Sequence, residues 1–203
     1  INYLESEGYV IIKNALTANE ASKTLDLLWD YLENLGTGID RTNPLTWSDD
    51  KWPTCAHGGI IPSYGIGHSE AQWFVRGVPN VKKAFAKVWA TDDLLTSFDG
   101  VSLWRPWNID PSWKTQSGQA WFHIDQHPIS KPGKQCIQGL INLLPTSKEI
   151  GGNVVIPKSH NFFKDIPDEY KERVERLPLD IDHFRFPHDD PKLSSEPAVM
   201  AHM

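Results

Sequence analysis

The sequence predicts an α+β protein in which helices come first and a mostly antiparallel sheet or barrel follows, with the helices packed outside it. Three observations carry this reading. Residues 17–36 and 79–89 repeat apolar side chains at helical spacing. From about residue 97 the period shortens, and β-rich runs alternate with turn residues. No regular helical pattern separates those runs.

In chain order, "GYVIIKN" (8–14) reads as a short β-type run. Thr17 and Glu20 then form a capping box, and Gly36 supplies a stop. Between them Ala21, Leu25, Leu28, Leu32 and Leu35 form one stripe that a helix lays on a core. Residues 37–72 are rich in Gly, Pro, Asp and Trp and read as a long ordered loop, a length that usually serves function or covers something. Pro79 suits a first helical turn, and Val81, Ala84, Phe85, Val88 and Trp89 share a second stripe. "LTSFDGVSLWRPW", "QAWFHID", "QCIQGLINLLP" and "GNVVIP" are the β candidates. Residues 168–177 suit a charged surface helix, with "DEYKERVER" a solvated face, and 178–203 read as irregular.

The 203 residues are enough for one large domain, and 39% hydrophobic with 23% charged residues is a globular composition. Mean hydropathy is −0.43. A net charge of −6 and a pI near 5.7 argue against nucleic acid as the main partner, because phosphate binding needs a basic surface. No apolar run reaches the ~20 residues of a membrane helix. Cys55 and Cys136 are too few for a disulfide framework, so buried free thiols in the cytoplasm or another reducing intracellular compartment are expected. The start, "INYLESEGYV", lacks the basic and apolar regions of a signal peptide. It also lacks an initiator Met, and "PAVMAHM" ends within a strand-like run, so further chain is expected beyond Met203.

The densest chemistry lies in "QAWFHIDQHP" (119–128). On a strand, residues i and i+2 share a face about 6.6–7 Å apart. His123 and Asp125 can therefore converge on one ion, while Phe122 and Ile124 point into apolar packing. His127 lies on the same face but ~13 Å from His123, at the mouth of the expected pocket. An imidazole and a carboxylate suit Fe(II), Mn(II) or Zn(II), and make up two members of a two-His-one-carboxylate facial triad. The same tripeptide is also compatible with the polar positions of an ordinary half-exposed strand.

"SFDGVSLWRPW", "WFHIDQHP", "QGLINLLP" and "GGNVVIPKSH" follow one another in the order and spacing of the phytanoyl-CoA dioxygenase-like family, which this sequence resembles over roughly residues 8–160. "GIGHSEAQWFVRGVPNVKKAFAKVWATDDLL" is similar to the helix-containing segment that precedes the barrel there. The resemblance implies a double-stranded β-helix (jelly-roll) core as a single domain. Residues 1–96 would form its helical and loop part and 97–203 its first barrel strands, with the distal barrel lying beyond. It implies a non-haem Fe(II)- and 2-oxoglutarate-dependent dioxygenase that uses O2 to hydroxylate a small organic substrate. His123 and Asp125 match the family's first two metal ligands. Gln138, Leu140 and Asn142 alternate on the strand that lines the co-substrate pocket, Leu140 standing where many relatives carry a tryptophan. The third histidine and an arginine for 2-oxoglutarate are expected after Met203. His183, His188 and His202 lack the family's Gly-Asp context, and His202 alone is in a strand-like setting.

The alternatives are a non-catalytic jelly-roll binding module or pseudo-oxygenase and, disfavoured by the strand spacing, a hydrolase using the H-x-D-x-H cluster. Of nine tryptophans, Trp29 and Trp89 sit on helix stripes as core residues. Trp104, Trp107, Trp113 and Trp121 suit either a substrate wall or plain packing. Arg76 and Arg105 suit a carboxylate clamp or, better, structural salt bridges. His57 and His68 suit a ligand-facing or a solvated loop role.

Overall fold

Thr17 opens the longest helix as its spacing predicts. In a computed structural model of the chain, its hydroxyl accepts from Glu20 N–H and the Glu20 carboxylate accepts from Thr17 N–H, closing the capping box. The structure describes residues 1–56, 59–114, 122–147, 149–150, 152–187 and 199–200. They divide into two compact units, one of Asn14–Ser117 and one of Ile1–Lys13 with Gly118–Met203.

In the Asn14–Ser117 unit, helices α2 (Ala18–Glu33), α3 (Glu70–Gly77) and α4 (Pro79–Trp89) accompany a two-stranded antiparallel sheet. Its strands are β1 (Ile60–Ile61) and β2 (Val101–Ser102), in the register Ile60↔Ser102 and Ile61↔Val101. Gly100 lets that approach happen, since a Cβ there would lie 2.5 Å from the Ile61 carbonyl oxygen. Leu32 of the predicted stripe packs with Ile39, Trp52, Ile61 and Ile66, so the long 37–72 segment supplies most of the core. Tyr31 Oη donates to the Tyr64 carbonyl at 2.7 Å and Trp47 Nε1 to the Asp40 carbonyl at 2.9 Å, tying the segment down. The Arg41 guanidinium bridges Asp30 and Glu33 of α2 and holds the Glu33 carboxyl below its usual range, through their hydrogen bonds. Replacing Thr17 by Ala removes the cap, and an expected loss of about 1 kcal/mol should be read in denaturant unfolding followed by tryptophan fluorescence.

The other unit holds α1 (Asn2–Glu7), β3 (His123–Ile124), β4 (Val154–Val155), α5 (Asp168–Glu175), β5 (Phe184–Arg185) and β6 (Val199–Met200). Two antiparallel pairs form, β3 with β5 and β4 with β6. Phe162, Tyr170, Val174 and Phe184 are its buried core, with Ile124, Ile166, Leu177 and Phe186 packed against them. Tyr170 and Val174, four apart on α5, therefore lay one helix turn on the β3–β5 pair.

Several expected strands are absent or short. Val10, Ile11 and Ile12 are exposed and outside any strand, and so is 134–146, where Leu140 and Leu144 face solvent. A strand needs a partner for its N–H and C=O groups, and among the described residues none pairs with these runs. Conversely, β5 lies in the tail that reads as irregular. Cys55 and Cys136 are free as expected, but only Cys55 is partly buried, with its thiol pushed up by that burial, and Cys136 is exposed. Among the described residues no helix is long and apolar enough to cross a membrane.

Candidate metal centre

The β3–β5 pair positions the site. His123 pairs with Arg185 and Ile124 with Phe184, and Phe186 N–H donates to the Phe122 carbonyl at 3.1 Å. Ile124 goes to the aromatic core, His123 is its neighbour on β3, and Asp125 follows in the bend just after the strand. There His123 Nε2 and Asp125 Oδ2 stand 3.3 Å apart, and Gln138 Nε2 donates to the same Oδ2 at 2.9 Å. The His123 hydrogen bond, more than any other influence, holds the Asp125 carboxyl below its ordinary range. The Gln138 amide and the charges of His123 and His183 add to this, and partial burial opposes it. His123 is 28% exposed and Asp125 41%, which leaves the pair open on one side.

Two donors bound ~2.1 Å from one ion lie about 3.0 Å apart at a right angle and about 3.4 Å apart at the tetrahedral angle. The observed 3.3 Å falls between them, so the residues present fit two adjacent positions of a divalent ion. Among the described residues, no group of three His, Cys, Asp or Glu side chains closes around such a point. His202, the weaker candidate for a third ligand, lies outside the described residues, as do His57, His188 and Trp121.

His183 is the residue that sequence reasoning passed over. It directly precedes β5, the partner of β3, and its charge is felt at Asp125. It also lines a cavity of about 270 Å³ with Arg173, Leu177, Ile181, Phe184 and Arg185. The alternation in "DHFRF" was the available signal, a strand pattern hidden in a proline-punctuated tail.

The other expected residues separate. Of the three co-substrate positions only Gln138 reaches the pair. Leu140 is exposed, and Asn142 Nδ2 donates to Thr146 Oγ1 at 3.3 Å. His127, expected at a pocket mouth, is fully buried instead. The chain bends after Ile124, and His127 Nδ1 accepts the N–H groups of Ile129 and Ser130, both at 3.1 Å, while the Gln126 carboxamide donates to the Lys131 and Gly133 carbonyls. His160, in "IPKSH", sits against α1: its Nε2 lies 3.0 Å from the Glu5 carbonyl oxygen. Gly8, at φ 80°, leaves room for that ring, since a Cβ there would come within 2.3 Å of Nδ1.

In the Asn14–Ser117 unit both candidate arginines have structural work. Arg105 donates to the Trp47 carbonyl at 2.6 Å and to Asp49 at 2.5 Å, and Arg76 donates to the Gly67 carbonyl at 2.6 Å. Trp113 is buried beneath the Arg105 guanidinium, whereas Trp104 and Trp107 are exposed. His68 stacks on Phe98 with ring centroids 4.0 Å apart.

No family model matches the chain, and no solved structure matches it. Two curated proteins do. "Ava biosynthesis cluster protein O" of Aspergillus versicolor is 33% identical over 187 residues, covering 91% of this chain and 58% of that protein. "Putative phytanoyl-CoA dioxygenase" of Dictyostelium discoideum is 26% identical over 199 residues, covering 80% of this chain and 55% of that protein. The chain therefore spans a little over half the length of these curated relatives.

Proposed function

We propose that this chain carries the first two ligands of a non-haem Fe(II) centre in a 2-oxoglutarate-dependent dioxygenase that hydroxylates a small organic substrate, on a jelly-roll scaffold. The observation that carries the reading is the convergence of His123 Nε2 and Asp125 Oδ2 to 3.3 Å at the end of β3. The distant homologue named as a phytanoyl-CoA dioxygenase supports the same class.

His123 and Asp125 would hold the metal on adjacent positions, leaving the others for a further protein ligand, 2-oxoglutarate and O2. When bound, the iron supplies the O2-dependent oxidation that couples decarboxylation of 2-oxoglutarate to attack on a substrate C–H bond. The chain's own part is orientation. Ile124, locked between Phe184 and its neighbours, fixes the strand so that imidazole and carboxylate stay on one side.

The test is succinate release from 2-oxoglutarate by the intact protein with Fe(II) and O2, compared with His123→Ala and Asp125→Ala. Both variants are expected to lose turnover to background. Equal release by all three proteins would refute the assignment, and no metal retention by the wild type would favour a non-catalytic binding module.

A further inference from the structure

We propose that Gln138 is a positioning residue for the metal centre, its carboxamide holding the Asp125 carboxylate in the orientation that turns one oxygen toward His123. The proposal rests on the metal-centre reading above and deepens it. It departs from the co-substrate role that the family resemblance implies for this position.

A carboxylate on a short side chain turns freely about its last bond, because that terminal torsion is broad and roughly two-fold. Two contacts stop it here. Oδ2 is approached by His123 Nε2 at 3.3 Å and by the Gln138 amide at 2.9 Å. Each carboxylate oxygen has two lone-pair positions. An ion seated beside Nε2 can use one position on Oδ2 while Gln138 keeps the other, so the amide hydrogen bond persists when metal binds.

The arrangement presets a single-oxygen attachment and removes the need to order Asp125 during binding. It also gives the 134–146 segment, which forms no strand, a direct polar link to the site. Hydrogen-bond partners of ligating carboxylates and imidazoles typically change metal affinity by about 10–100-fold.

The experiment is equilibrium titration of the purified intact protein with Mn(II) alone, without 2-oxoglutarate or turnover. Four proteins are compared: wild type, Q138L, D125A and the double variant Q138L/D125A. Gln138 is exposed, so Q138L is expected to fold with an unchanged circular dichroism spectrum; Q138N, whose shorter arm falls short of Oδ2, is the second variant if it does not.

Q138L should weaken Mn(II) binding about 10–100-fold, and in the D125A background the same change should have no further effect, because Gln138 acts through that carboxylate. Wild-type affinity in both Q138L and Q138N, alongside weakened D125A, would overturn the Gln138 assignment and leave the metal centre standing. Equal loss on top of D125A would also overturn it, since the residue would then act independently. Mn(II) affinity indifferent to D125A would remove the metal reading and this proposal together.

Discussion

Phe184→Ala is expected to lower the unfolding free energy of the unit carrying His123 by about 3–5 kcal/mol. The ring is 2% exposed and central to an aromatic cluster, with centroids 5.8 Å from Phe162, 6.1 Å from Tyr170 and 5.0 Å from Phe186. The Arg173 guanidinium lies 5.4 Å over it. Truncation removes a large buried area and leaves a cavity that the strand-paired backbone cannot easily close. Phe184 is also the partner of Ile124, so the damage reaches the strand that sets the His123–Asp125 spacing. Chemical denaturation followed by near-ultraviolet circular dichroism measures the loss, and Mn(II) affinity should fall in the same variant. A cost under about 1 kcal/mol would show that these rings are not the core.

Arg105→Leu is expected to cost about 2–4 kcal/mol in the Asn14–Ser117 unit, and the ion pair supplies the smaller part of it. The Arg105 side chain is 12% exposed but that of Asp49 is 80% exposed, so the salt bridge is largely a solvent contact. Such pairs contribute about 0–1 kcal/mol. The greater contribution comes from the guanidinium's bond to the Trp47 carbonyl and its place over two indoles, 4.7 Å from the Trp113 centroid and 5.5 Å from Trp52. Charge-assisted hydrogen bonds contribute about 1.5–3 kcal/mol, and partly desolvated cation–π contacts about 1–2 kcal/mol. Asp49→Ala should therefore cost under about 1 kcal/mol. Equilibrium unfolding read by tryptophan emission separates the two, and equal losses would mean that the exposed carboxylate matters more than the indoles.

What could be read from the residues follows the range of the interactions involved. The Thr17–Glu20 box and the Leu28–Leu32 stripe are set within a few positions, and α2 forms where they place it. His123 and Asp125 are two positions apart and do come within 3.3 Å, but Asp125 stands in the bend after β3, so strand alternation alone does not account for it. Partners distant in sequence were not legible. β3 is held by Phe184 some sixty residues away, and the pairing of Ile124 with Phe184 is a property of the two segments together rather than of either one. Helix α3 was hidden for a different reason: its eight residues begin at a Ser69 cap inside a glycine-rich stretch and stop at Gly77, two positions before Pro79, too short to show a period. The run "QCIQGLINLLP" has strand composition without strand structure, because composition cannot supply the neighbouring chain that a strand requires.

That last mismatch has a colloidal consequence. Val10, Ile11 and Ile12, at 43%, 37% and 45% exposure, make an apolar, uncharged run that, among the described residues, lies outside every sheet, and Leu140 and Leu144 are further exposed apolar side chains outside the sheets. Runs of this kind zip onto copies of themselves, and only Lys13 stands at the edge of the first as a gatekeeper. Concentration-dependent self-association through these exposed runs is the expected consequence, and light scattering of this chain at rising concentration, compared with Ile11→Lys, measures it.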